Sequence, residues 1–243
     1  MSRPLRALLL AAGLGNRLRP LTLHTPKCMV SIGAEPLLGR WLRKLEAAGC
    51  EAVLVNTHHL AEQVVSFLEG WKSQAMAVHC VHEPKLLGTA GTLIANQAFF
   101  NGSTGLLIHA DNLMIDNIVD LVEAHRLRPA ECLLTMLTFR TNQPRSCGIV
   151  VTDERGVITA FHEKVAKPPG NCANGALYSF DSDLITFLNT ISPKPSDFST
   201  EVIPRLLGRI NTWHTYRPYL DIGTPAALEA AQHLVKSLSG SQL

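Results

Sequence analysis

The sequence predicts a doubly wound α/β fold, with a mixed and mainly parallel sheet carrying an antiparallel extension. Two patterns point there. In the first half, short apolar runs alternate with segments whose apolar residues recur every three or four positions. In the second half, Gly148–Thr152 and Val157–Phe161 are separated by Asp153-Glu154-Arg155-Gly156, a turn-like segment suited to a hairpin.

Each element follows from its own pattern. Strands are expected at Ala7–Leu10, Ala52–Thr57, Ala77–Val81, Gly105–His109 and Cys132–Thr138, where apolar residues run together as they do in a buried sheet. Helices are expected at Leu37–Ala48, Leu60–Glu69, Thr92–Phe99 and Ile115–Arg126, each with an apolar stripe to lay on that sheet. After a strand at Gly175–Phe180, helical patterns return at Asp183–Thr190, Thr200–Leu207 and Pro225–Ser237, the last opening with Pro in its first turn. A single domain is expected, with halves at about 1–130 and 131–236 and a Ser/Gly-rich tail over 237–243.

Composition narrows the function classes. The 243 residues are 46% hydrophobic and 17% charged, with a net charge of +2, as in an ordinary globular chain able to bury a sizeable core. The 22 Lys and Arg are dispersed, so neither nucleic acid nor a membrane surface is an expected partner. No stretch approaches the roughly 18 apolar residues of a spanning helix. The run Ala7–Ala12 behind Arg3 and Arg6 imitates a leader but is short and is followed by Arg17 and Arg19. Six cysteines without a Cys-x-x-Cys pair suit a reduced, cytoplasmic protein and offer no zinc motif.

The most informative stretch is Leu10 to Thr22, followed by Pro26-Lys27. Small residues at Ala11, Ala12, Gly13 and Gly15 let backbone N–H groups approach a polyphosphate, and Arg17 and Lys27 can neutralise it. No Gly-Lys-Ser/Thr follows, and the glycines lack dinucleotide-fingerprint spacing. Asp111 follows an apolar strand, where ligands of open α/β sheets collect, although an acid there also serves as a helix cap. Asp221 precedes the last helix and has the same two readings. Glu163-Lys164 and Asn174-Gly175 read on their own as solvated charges and a turn at the entrance of a strand. His58 and His59 are adjacent and diverge, and Trp41 and Trp71 fit helix faces.

Taken in order, Leu10–Thr22 with Pro26-Lys27, then Gly88-Thr89-Ala90-Gly91, Asp111, Glu163-Lys164, Asn174-Gly175 and Leu220–Pro225 resemble the motifs of the sugar-phosphate nucleotidylyltransferase family. That resemblance covers nearly the whole chain. It implies a Rossmann-like fold of the nucleotide-diphospho-sugar transferase type and a reaction of a nucleoside triphosphate with a sugar 1-phosphate. It further implies that Leu10, Ala11, Ala12, Gly13, Gly15, Asn16, Arg17 and Lys27 hold the nucleotide, with Glu83, Gly88 and Thr89 at the base. Asp111 and Asp221 would bind Mg²⁺, and Asp111, Glu163, Lys164, Asn174 and Gly175 would serve the sugar phosphate. Arg17, Lys27 and Lys164 are the expected catalytic cations. Before Asp111 the family usually has Gly, whereas this chain has Ala110.

The Gly88–Gly91 segment looks like that of guanylyltransferases that make GDP-mannose, so GTP with mannose 1-phosphate is the expected pair. Heptose 1-phosphate guanylyltransferases and uridylyltransferases of amino-sugar phosphates are alternatives within the class, and short members without a C-terminal β-helix are the expected comparison. A regulatory protein that only binds a nucleotide sugar is the alternative of a different class. The resemblance is also compatible with a homo-oligomer. A glycosyltransferase is disfavoured because Asp111 is followed by Asn112-Leu113, with no Asp-x-Asp pair.

Overall fold

The computed structural model describes residues 3–240. The strands are β1 (Leu5–Leu10), β2 (Ser31–Ile32), β3 (Glu35–Pro36), β4 (Cys50–Thr57), β5 (Ala77–His82), β6 (Thr104–His109), β7 (Asn112–Met114) and β8 (Leu134–Arg140). They continue as β9 (Gly148–Thr152), β10 (Ile158–Glu163), β11 (Cys172–Phe180), β12 (Ile210–His214) and β13 (Tyr219–Asp221). The α-helices are α1 (Leu37–Ala47), α2 (Ala61–Gly70), α3 (Gly88–Ala95), α4 (Ile118–Arg126), α5 (Ser182–Thr190) and α6 (Pro225–Gly240).

The main sheet is mixed, as expected, with strand order β10-β9-β11-β6-β1-β4-β5, while β8 pairs with β11 and β12. By compactness the chain forms two units, each discontinuous in sequence. Among the described residues the first comprises 3–8, 87–108 and 116–217, and the second 9–86, 109–115 and 218–240.

In the second unit, β4 is buried at every position but Glu51, the continuous apolar pattern of a strand covered on both faces. It pairs in parallel with β5, Ala52 opposite Ala77 through Thr57 opposite His82. The helix α1 packs toward β4 and buries Leu37, Leu38, Trp41, Leu42 and Leu45, a spacing that keeps them on one stripe. Trp41 is core, and its indole N–H donates to the Asn112 carbonyl at 2.9 Å. A smaller core of Ile32, Leu37, Leu113, Ile222 and Ala231 supports the two-stranded β7–β13 ribbon.

In the first unit, β11 runs antiparallel to β6, β8 and β9, and β12 joins β8 in parallel. The expected hairpin is β9–β10, and Asp153 builds its turn by accepting the N–H groups of Arg155 and Val157 at 3.0 and 2.8 Å. Tyr178, Phe180 and Phe198 are fully buried, with the Tyr178 and Phe198 ring centroids 4.8 Å apart.

Four expectations need correction. The third helix starts at Gly88 and not Thr92, because the Ser196 carbonyl takes up the Ala90 and Gly91 N–H groups of its first turn. Residues 112–114, next to the expected helix Ile115–Arg126, form a strand, and the helix begins at Ile118 behind the Asn117 cap, whose side chain accepts the Val119 N–H. Thr200–Leu207 is not α-helical: Phe198–Val202 winds as a π-helix and Ile203–Leu206 as a 3₁₀ turn beginning next to Pro204, which cannot supply an N–H. The expected tail at 237 instead continues α6 to Gly240, and 241–243 lie outside the described residues. Among the described residues no helix is long and apolar enough to cross a membrane.

Candidate functional site

Beyond β1 the chain turns through Ala11–Gly15. Gly15 has φ +64, and a Cβ there would meet the Thr22 methyl at 2.8 Å, so both the backbone angle and the space require glycine. Thr22 Oγ1 donates to the Gly15 carbonyl at 2.8 Å and closes the loop. A Cβ on Gly13 would meet nothing within 4 Å, so that backbone is open to close approach. The 3₁₀ turn Asn16–Leu18 buries Leu18 and leaves Asn16 and Arg17 exposed. Behind the loop, the Ala11 N–H donates to Asn56 Oδ1 at 2.7 Å, and Asn56 Nδ2 donates to Glu83 Oε1 at 2.9 Å. Glu83, which the resemblance puts at the base, is buried and accepts this bond.

Four expected residues from distant segments meet on the second unit. Lys27 Nζ donates to Asp111 Oδ2 and, at 3.2 Å, to Asp221 Oδ1. Arg17 Nη2 donates to Asp221 Oδ2 at 3.4 Å and lies over Gly223, where a Cβ would approach it to 2.6 Å. The β7–β13 ribbon sets this meeting: Asp221 sits opposite Asn112, and the Ile222 N–H donates to the Asp111 carbonyl at 3.0 Å. Side-chain exposure is 10% at Lys27, 26% at Asp111, 52% at Asp221 and 64% at Arg17, so the cluster has a buried end and an open end. Burial alone would raise the Asp111 pKa, but the Lys27 charge and then that of His109 outweigh it and hold the carboxyl below its ordinary value. Burial first, and Asp111 second, push the neighbouring Cys28 thiol up to about 12, which makes it inert.

On the first unit, Gly88 has φ +78 and opens α3 directly. The Ala90 and Gly91 N–H groups are used internally, since both donate to the Ser196 carbonyl, at 2.9 and 3.2 Å. Thr89 Oγ1 accepts the Phe198 N–H at 2.7 Å. Lys164 adopts φ +49, and its N–H donates to the Cys147 carbonyl at 3.1 Å. Its ammonium pairs with Glu163 at 3.0 Å. Gly148 lies opposite Glu163 in the ladder, and a Cβ there would come 2.5 Å from the Glu163 carboxylate. Asn174 and Gly175 occupy an irregular stretch of β11 with Ala176 at φ +52, and not a strand entrance. Asn174 accepts the Ala176 N–H at 2.8 Å and donates to the Tyr178 hydroxyl at 2.8 Å.

A model of the nucleotidyl transferase family matches residues 6–237. The chain belongs to that family. It is 29% identical over 228 residues to "Probable mannose-1-phosphate guanylyltransferase 1" of Oryza sativa subsp. japonica, covering 91% of this chain and 62% of the relative. It is 30% identical over 225 residues to the mannose-1-phosphate guanylyltransferase of Mycobacterium tuberculosis, covering 90% of this chain and 61% of that protein. The mannose-1-phosphate guanylyltransferase catalytic subunit beta of Drosophila melanogaster is 32% identical over 205 residues, 83% of this chain and 54% of its own length. The chain thus spans between 54% and 62% of these relatives. The crystal structure of a putative glucose-1-phosphate thymidylyltransferase from Bacillus anthracis, in complex with a sucrose, matches with a TM-score of 0.83 at 23% identity. That match covers 95% of this chain and 94% of the other, and it shows a shared fold.

Within this nucleotidyl transferase domain, sequence reasoning missed Asn56 and the segment from Ser196 to Glu201. An amide inside the apolar strand Ala52–Thr57 was a legible signal for Asn56, because a buried polar side chain needs partners. His58 and His59 do diverge, one ring bonding the Glu83 carbonyl and the other the Thr22 carbonyl. All six cysteines are free thiols.

Proposed function

We propose that the chain is a Mg²⁺-dependent sugar-1-phosphate nucleotidylyltransferase that acts on GTP and mannose 1-phosphate. The carrying observation is the meeting of Lys27 and Arg17 with Asp111 and Asp221 beside an open glycine loop. The names of the guanylyltransferase relatives support the choice of substrates. Free thiols throughout suit a cytoplasmic setting.

A sugar 1-phosphate is largely dianionic near neutral pH because its second pKa lies near 6, so no general base is required. One of its oxygens attacks the α-phosphorus of the triphosphate, the bond from that phosphorus to the bridging oxygen breaks, and pyrophosphate leaves with the electron pair. Arg17 and Lys27 hold and neutralise the triphosphate, and the Gly13–Gly15 backbone admits it. Lys164 holds the attacking phosphate while Glu163 and Asn174 accept and donate to sugar hydroxyls. Gly88 and Thr89 meet the base. The donor set fits a magnesium ion, because two carboxylates come together at one ammonium and Mg²⁺ favours a few carboxylates with phosphate oxygens and water. When bound, the ion would neutralise the charge of the two reacting phosphates.

The test is release of pyrophosphate from each of four ribonucleoside triphosphates against a panel of sugar 1-phosphates with Mg²⁺. GTP with mannose 1-phosphate is expected to be fastest, and full-rate pyrophosphate release without any sugar phosphate overturns the reading. A second expected result concerns Lys164→Ala, which removes a charged hydrogen bond worth about 1.5–3 kcal/mol and should raise the KM for the sugar phosphate by roughly ten- to a hundredfold. An unchanged KM in the folded variant would make Lys164 a solvated charge paired only with Glu163.

A further inference from the structure

None of the sequence motifs includes residues 196–202, yet this segment holds the first turn of α3. The Ser196 carbonyl receives both the Ala90 and Gly91 N–H groups, and the Phe198 N–H is spent on Thr89. Contact is close enough that a Cβ on Gly88 would run into the Ser196 carbonyl oxygen. The position of Gly88 and Thr89 is therefore set mainly by one peptide, Ser196–Asp197, whose carbonyl takes both N–H groups, with the Phe198 N–H adding a tie to Thr89.

That peptide is oriented in turn by a side chain. Glu201 Oε2 accepts the Ser196 N–H at 2.6 Å, the Asp197 N–H at 2.9 Å and the Ser196 hydroxyl at 3.2 Å. Asp197 answers from the other end by accepting the Thr200 N–H at 2.7 Å and its hydroxyl at 2.8 Å. This is a reciprocal cap, with each acid satisfying N–H groups that the start of a helical turn leaves unpaired. The turn so closed is the π-wound Phe198–Val202, a geometry that is rare and frequently found at functional sites. The Asp197 and Ser196 N–H groups hold the Glu201 carboxyl below its ordinary pKa, consistent with a charged acceptor at neutral pH. A charged acceptor on the N–H of a peptide also polarises its carbonyl toward the donors on the far side.

We infer that Glu201 is a positioning residue for the nucleotide: it fixes the Ser196 peptide, which docks the first turn of α3 and presents Gly88 and Thr89 to the base. The role rests on the proposed nucleotidyl transfer. Glu201 touches no reacting atom, so its loss acts on how the base is met and not on phosphoryl chemistry.

The experiment compares Glu201→Ala, Glu201→Gln and Glu201→Asp with the wild type in two measurements. The first is amide hydrogen exchange at Ala90 and Gly91, which needs no activity. It should quicken at least tenfold in Glu201→Ala and stay near wild type in Glu201→Gln, which keeps an acceptor oxygen. The second is steady-state kinetics with the best wild-type substrate pair. Glu201→Ala should raise the KM for the nucleotide about tenfold, narrow the preference for GTP over ATP, and leave kcat and the KM for the sugar phosphate within about twofold. Glu201→Gln should restore most of the loss. Should Glu201→Ala not fold, Glu201→Asp, which withdraws the same carboxylate by one methylene, is read in its place. Unchanged exchange at Ala90 and Gly91 overturns the inference, as does a fall in kcat with an equal rise in both KM values that tracks lost thermal stability. A wild type that forms no nucleotide sugar from any pair sinks the proposed function instead, and the exchange result then decides whether the brace exists.

Discussion

Asp111→Asn is expected to lower turnover at least about a hundredfold and to shift the magnesium dependence to higher concentration, with Asp221→Asn doing the same. A hundredfold is about 2.7 kcal/mol at roughly 1.36 kcal/mol per factor of ten, within the several kcal/mol that metal-assisted charge neutralisation supplies. Asn keeps the size of the side chain and removes one unit of charge from a carboxyl that Lys27 holds ionised. Asp221 is half exposed, so its replacement should barely change stability, whereas Asp111 is the more enclosed partner and should lose somewhat more. Raising Mg²⁺ should rescue part of the activity in each case, because one carboxylate remains. Pyrophosphate release across a magnesium titration, read beside thermal melting of the same samples, checks both parts. A folded Asp111→Asn enzyme with wild-type turnover and an unmoved magnesium midpoint would end the shared-metal reading, even though the two carboxylates share an ammonium in the fold.

Lys27→Met should cost about a hundred- to a thousandfold in kcat, the range seen when one preorganised donor is removed from a developing charge. Methionine preserves the apolar stem and its packing but deletes the ammonium that the triphosphate would meet. Stability should also fall, in contrast to Asp221→Asn. Lys27 is only 10% exposed, and without it Asp111 and Asp221 are left without the cation they share. Removing one partner of a fully buried pair costs about 3–5 kcal/mol, and the open side of Asp221 places this case toward the lower end. Denaturant midpoints give the stability part, and kcat at saturating nucleotide gives the catalytic part. If kcat survives while stability drops, Lys27 is a structural tie between two acids.

Much of the α/β alternation was legible because strands buried on both faces and helices with one apolar stripe carry strong periodic signals. The boundaries that moved did so for tertiary reasons. Gly88-Thr89-Ala90-Gly91 is a poor helix start by propensity, yet it is helical because the Ser196 carbonyl, more than a hundred positions later in the chain, takes up its N–H groups. Asn112–Met114 joins a strand, and not the helix beside it, because its partner is Tyr219–Asp221. Neither partner announces itself locally.

By itself the sequence determined the β-α order, the small-residue loop after the first strand and the chemical types at positions 17, 27, 111 and 221. Each of these rests on local pattern: runs of two- and 3.6-residue period, glycine where φ is positive, an acid after an apolar strand. Only the tertiary structure decided that one ammonium would lie between two carboxylates 84 and 194 positions away along the chain. It alone decided that Glu83 would be buried against Asn56, and that Glu201 would act on residues 90 and 91 through a single peptide. The reason is that such contacts depend on strand register and loop path, which no periodicity of neighbouring residues encodes.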